Sequence, residues 1–140
     1  MFKHILLPVD GSDVSRRAVA SAIEFARISG ARLTPYTCVH DQWIPTDNEL
    51  WPEYASRAQD EARAEHAKIE EAAAQNGVHC VGATSAASSP YLGIIAKAME
   101  LECDVIFMAS HGRNRVSSLL LGSETQKVLS HSAIPVLVFR

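Results

Sequence analysis

The stretch ASHGRNRVSSLLLGSETQKVL, residues 109–129, follows directly on the apolar run Val105 to Met108 and continues into a segment with helical spacing. A short apolar run, a polar loop with a glycine and two arginines, then Gly122-Ser123 before a helix: this order reads as a buried strand delivering its loop to a helix amino terminus. The first amides of a helix have no intrahelical acceptors and sit at its positive dipole end, which suits an anion. Arg113 and Arg115 add charge to the same loop, and a guanidinium pairs well with phosphate oxygens. The plainer reading is a glycine turn, a serine cap and two solvated arginines, since a lone glycine pattern is a weak motif.

Outward from this stretch, strand-like and helix-like periods alternate along the whole chain. HILLPV (4–9) is a short apolar run closed by Asp10 and Gly11. From Ser12 the apolar residues Val14, Ala18, Ala22, Ile23, Phe25 and Ala26 recur at helical spacing, and Gly30 supplies the stop. RLTPYTCVH (32–40) reads as a second strand, in which Pro35 cannot donate to a ladder and points to a bulge or a sheet margin. Residues 41–51 hold both tryptophans and no steady period, so they read as a surface loop. PEYASRAQDEARAEHAKIEEAAAQNG begins with Pro52 in a first-turn position and ends at Asn76-Gly77, a helix by composition and by its limits. VHCVGATS (78–85) is a third strand, and Ser88-Ser89-Pro90 opens a helix expected to carry Leu92, Ile95, Ala96, Met99 and Leu101 on its apolar face. DVIFMAS (104–110) is the fourth strand, a helix runs from about Ser123 to His131, and IPVLVF (134–139) is the fifth strand. Such alternation predicts an α/β, doubly wound parallel sheet with helices on both faces. In such a sheet a ligand sits outside the carboxyl ends of the strands where strand order reverses, so the loops after strands one and four are the candidates.

Composition bounds the function. With 140 residues, the chain is expected to form one domain over 1–140. Its net charge of −3 lacks the basic excess of a nucleic-acid binder, and no apolar segment spans a bilayer, so neither nucleic acid nor membrane is an expected partner. Cys38, Cys80 and Cys103 show no zinc-site spacing and read as reduced core thiols, and the amino terminus lacks a secretory h-region, so the expected location is cytoplasmic. No metal site is expected, because the histidines show no ligand spacing.

The competing phosphate motifs fail on residues. There is no GxxxxGK[ST] and no GxGxxG after the first strand. DGSDVS faintly resembles the SGGxDS loop of ATP pyrophosphatases, but Asp10 stands where that loop has its first glycine. A response-regulator reading lacks the acidic cluster and the late-strand lysine. In the first loop, Asp10 either accepts from ribose hydroxyls or shapes the turn with Ser12.

The string ASHGRNRVSSLLLGS is similar to the nucleotide-binding signature of the universal stress protein family. That signature is Gly, two residues, Gly, nine residues, then Gly followed by Ser or Thr. Gly112, nine intervening residues and Gly122-Ser123 match it, and Ala109 replaces the first glycine. HILLPVDGSDVSRRAV, MASHGRNR and IPVLVF extend the resemblance over nearly the entire chain. The resemblance implies a nucleotide-binding alpha-hydrolase-like sheet of order 3-2-1-4-5, which brings strands one and four side by side. It implies ATP, with Mg2+, as ligand: Val9 and Asp10, with Pro8 beside them, face the adenosine, and the backbone around Val39 borders the adenine. Met108, Ala109, Ser110, His111, Gly112, Arg113 and Asn114 run past ribose and phosphates, and Gly122, Ser123 and Glu124 hold the phosphate tail.

The chain departs from the family pattern at two positions. If the first family glycine needs positive φ or a close backbone approach, Ala109 costs about 1 kcal/mol or more; in an ordinary strand conformation it costs nothing. Arg115 either reaches the phosphates or shields the pocket. His111 lacks an orienting partner nameable from sequence, so it reads as a structural hydrogen-bonding residue, no catalytic residue is assigned, and slow ATP hydrolysis is the most the reading allows. The expected function is an ATP-binding regulatory module in stress response; the alternatives are a weak ATP hydrolase and a nucleotide-free dimerisation scaffold. In the family's strand order, as the resemblance implies, the fifth strand forms a sheet edge, so Pro135, Val136, Leu137, Val138 and Phe139 predict a two-fold homodimer by antiparallel pairing, alongside unknown client proteins.

Overall fold

The computed structural model describes residues 2–41, 43–111 and 121–140. In chain order the elements are β1 (His4–Pro8), α1 (Asp13–Ser29), β2 (Arg32–Val39), α2 (Trp51–Gln75), β3 (Ala83–Ala86), α3 (Pro90–Glu100), β4 (Val105–Ala109), α4 (Ser123–His131) and β5 (Val136–Phe139). The five strands form one sheet of order β3-β2-β1-β4-β5, with every pairing parallel. The expected order and alternation are both observed.

Side chains alternate across each strand, so the central strands feed two cores. Ile5 and Leu7 of β1 join Val105 and Phe107 of β4 in the layer under α1 and α2. Leu6 joins Ile106 and Met108 in the layer that holds Ile94, Ala98 and Val128 of α3 and α4. Ile5, Leu6 and Leu7 are fully buried, each contributing about 1.5–3 kcal/mol of apolar transfer. This two-sided burial is why β1 and β4 read as unbroken apolar runs.

Local signals set the helix limits. Ser12 caps α1, its hydroxyl accepting from the Ser15 amide at 3.2 Å, and Gly30 closes the helix in the left-handed region at φ 72°. Pro52 lies in the first turn of α2, as its sequence position predicted.

Three expectations change. Pro35 sits in an interior strand rather than at a margin. Arg32 N and Tyr36 O face β1, so by alternation Pro35 faces β3, where the ladder is broken between the Leu33–Cys80 bridge and the Tyr36–Ala83 pair. Its missing N–H therefore costs no strand pairing. The third strand is shorter than residues 78–85: the regular ladder begins at Ala83, because Gly82 packs against the His66 ring and only the bridge at Cys80 precedes it. On α3, the buried face is Gly93, Ile94 and Ala98, while Leu92 and Met99 are exposed. Gly93 decides this, since a Cβ there would overlap the Tyr36 hydroxyl of β2. The helix seats its smallest side against the sheet.

No helix among the described residues is long and apolar enough to cross a membrane. All three cysteines are free thiols, Cys103 buried and the other two half-buried.

Candidate functional site

The β1–β4 ladder pairs Ile5 with Val105 and Leu6 with Ile106, and then stops, although both strands continue. Pro8 explains the stop. The Val9 amide donates to Tyr36 O of β2, so its neighbour Pro8 faces β4, where it has no N–H to give. The strands part at their carboxyl ends, at the point where strand order reverses. A cleft of about 670 Å³ opens there, walled by Pro8, Val9 and Asp10 on one side and Met108, Ala109 and Gly122 on the other.

On the β1 side the loop closes on itself. The Ser12 amide donates to Asp10 Oδ1 at 2.9 Å and the Asp10 amide donates to Ser15 Oγ at 3.3 Å. Asp10 thus shapes the turn and also lines the cleft, so the two sequence readings of this residue are compatible. Thr37 supports the floor: its hydroxyl donates to the Val9 carbonyl at 3.0 Å and accepts from His66 Nε2 at 2.9 Å. His66 is buried, and burial holds its pKa below the usual 6.5 against the carboxylates of Glu70 and Glu65. Helix α2 is therefore tied through one histidine and one threonine to the tip of β1.

On the β4 side the two ends of the long excursion are stapled. The Ser110 amide donates to Phe139 O of β5 at 2.7 Å, and Ser110 O accepts from the Gly122 amide at 2.7 Å. Thr125, in the first turn of α4, donates its hydroxyl to the Ala109 carbonyl at 2.9 Å. The amino end of α4 is thereby held against the tip of β4, with Ser123 at the cleft. Gly122 has φ −62° and ψ 154°, ordinary extended backbone, so small size rather than left-handed freedom suits it to the cleft wall.

Ala109 is equally relaxed. Among the described residues the only non-glycine with positive φ is Glu102, and Ala109 pairs with Phe139 as a regular strand residue. The alanine causes no backbone strain.

His111 is buried, with Nδ1 3.0 Å from Ser110 Oγ. Its Nε2 is a buried polar atom without a hydrogen-bond partner, and the residue lines the cleft. Ser110, Ala109's neighbour, is buried behind it and does not reach the wall.

The Glu124 side chain serves α3: Oε2 accepts from the Tyr91 amide at 2.9 Å and Oε1 lies 3.7 Å from Lys127 Nζ. What α4 offers an anion at that position is the main-chain amide. Val39 is buried and does not line the cleft, but Cys38 and His40 on either side of it do. Gly112, Arg113, Asn114 and Arg115 lie outside the described residues.

Sequence reasoning missed part of the lining. Thr37, Asp41, Trp43, Tyr54 and Lys127 all reach the cleft. For Asp41 and Trp43 a signal existed, because the aperiodic loop 41–51 leaves the tip of the strand beside β1. Lys127 was recoverable from its place one turn after Ser123 on the same helix. Nothing in the sequence marked Tyr54.

The family model described as the universal stress protein family matches residues 1–140. A universal stress protein from Thermus aquaticus, from the 3′ region of a QAH/OAS sulfhydrylase, is 37% identical, with all of both chains covered. The solved structure of the hypothetical protein MJ0577 superposes with TM-score 0.87 at 26% identity, over 99% of this chain and 95% of that one. A universal stress protein solved in complex with cAMP shares the fold at TM-score 0.75 and 23% identity, over 99% of this chain and 97% of that one.

Proposed function

Because the chain belongs to the universal stress protein family, we propose that the cleft between β1 and β4 binds ATP and that the protein acts as a homodimeric, nucleotide-dependent regulatory module in stress response. The observation that carries this reading is the ladder break at Pro8, which opens the sheet beside the stapled start of α4. A parallel sheet split at its switch point and a helix amino terminus converge on one space, the arrangement that suits a nucleotide. A family member of the same fold holds an adenine nucleotide, cAMP.

In this reading the adenosine lies against Val9, Asp10 and the backbone beside Val39, and the phosphates point to Gly122 and Ser123. Mg2+ would arrive on the phosphates: among the described residues no group of three His, Cys, Asp or Glu side chains is placed to hold a metal. Mg2+ ordinarily needs only one or two protein carboxylates when phosphates supply the rest, and Asp10 and Asp41 line the cleft. The free thiols accord with a cytoplasmic location.

One observation favours slow hydrolysis as a second reading. His111 lines the cleft, is oriented at Nδ1 by Ser110 and has a buried Nε2 without a hydrogen-bond partner, a ring nitrogen that would act as general base once a bound ligand brings a water within its reach. Ala109 does not strain the strand, so the scaffold alternative now rests only on whether the alanine methyl obstructs a ligand.

The dimer reading rests on β5. It is an edge of the sheet, and Val136, Leu137, Val138 and Phe139 are all half-buried in the monomer. An apolar edge strand of this kind invites antiparallel pairing with a second copy, with Pro135 at its start.

Calorimetric titration of nucleotide-stripped protein with Mg-ATP tests the site, with Gly122→Val as control. Saturable binding that disappears in the variant is expected. A folded wild-type protein that takes up no ATP overturns the reading. Release of ADP that ceases in His111→Asn would establish the hydrolase instead of the pure binding module.

A further inference from the structure

Beyond β2 the chain turns at Asp41, whose Oδ1 accepts from the Trp43 amide at 2.7 Å and the Ile44 amide at 3.1 Å. The turn is anchored from α2 as well. The Tyr54 hydroxyl donates to the His40 carbonyl at 2.7 Å, and the Trp51 ring packs on Tyr54 at 5.5 Å between centroids. Yet Trp43, held at its backbone by this turn, is 81% exposed while forming part of the cleft rim. Trp51, the other tryptophan of the same loop region, is half-buried.

A large aromatic ring on a braced backbone, exposed beside a cleft, has a face available to a flat ligand. Its neighbours at this end of the cleft are His40, Asp41 and Tyr54, across the β1–β4 split from the start of α4. This is the adenosine end of the proposed nucleotide site, so the inference rests on that reading. We propose that Trp43 stacks on the outer face of the purine base and closes the base pocket from the solvent side. Stacking of this kind depends on a planar base and tolerates differences in its edge groups, so Trp43 selects nucleotides over inorganic polyphosphate rather than one purine over another.

The test uses the full chain. In a Trp51→Phe protein, whose remaining tryptophan is Trp43, Mg-ATP is expected to change the emission saturably, and Mg-tripolyphosphate to leave it unchanged. Calorimetry on Trp43→Ala is expected to show Mg-ATP binding weakened about tenfold, within the range found when a stacking aromatic is removed, with Trp43→Phe close to wild type. Unchanged thermal melting of both variants separates this from misfolding. If wild type and Trp43→Ala bind Mg-ATP equally, the stacking is overturned and the nucleotide site stands. If wild type binds no Mg-ATP, both are overturned.

Discussion

The Thr125 hydroxyl donates to the Ala109 carbonyl over 2.9 Å, joining two buried groups that lie sixteen positions apart in the chain. This bond, with that from the Gly122 amide to Ser110 O, sets where α4 begins relative to the tip of β4. Thr125→Val keeps the shape and leaves the Ala109 carbonyl without its donor. We expect a loss of about 1–3 kcal/mol in urea unfolding. ATP binding should weaken as well, because the first turn of α4 is no longer held in place.

Ala109→Gly restores the family's first glycine. Since Ala109 is an ordinary strand residue, the change should not improve ATP affinity in a calorimetric titration. It should lower stability by about 0.5–1 kcal/mol through the added backbone freedom. A clear gain in affinity would show that the alanine methyl obstructs the ligand.

Gly93→Ala introduces a methyl group where the Tyr36 hydroxyl sits, a buried oxygen 2.7 Å from Ser85 Oγ. Helix α3 must then shift away from β2. Overpacking of this kind costs about 1–3 kcal/mol, measurable as a lower urea midpoint. The equivalent change at Met99, which is exposed, should cost little.

Acidification should destabilise the fold. Burial keeps the native His66 below its usual pKa of 6.5, and burial together with Arg32 does the same for His4. As pH falls through 6.5 the unfolded chain gains protons that the native rings resist, so stability is complete above that value and declines below it, until the native pKa values are reached. Urea midpoints at about pH 7.5 and about pH 5.5 should show the decline. His66→Gln, which retains a donor for Thr37, should reduce it.

Val136→Asp places a charge on the edge strand β5. Sedimentation velocity should show a monomer for this variant and a dimer for wild type. A dimer that survives the change would remove β5 as the interface.

The alternation of strands and helices could be anticipated because the period changes along the chain are local, whereas the strand order followed only from the resemblance to the universal stress protein family, carried by the signature at Gly112 and Gly122-Ser123. The helix limits were legible for the same reason: Ser12, Gly30 and Pro52 act through their own backbone geometry. The buried face of α3 was not legible. Leu92, Ile95, Ala96 and Met99 have the spacing of a core stripe, but contact with Tyr36 turns Gly93 toward the sheet.

By itself the sequence determined the alternation of elements, the apolar character of the two central strands, and the glycine and serine that open α4. These follow from backbone preference and side-chain period, which act over a few residues. Only the tertiary structure decided that Pro8 and Pro35 both face gaps in the sheet, that the Glu124 side chain caps α3, and that Trp43 stands at the cleft rim. Each depends on which neighbour a group faces across the sheet or between helices, and that is set by the packing of segments distant in the chain.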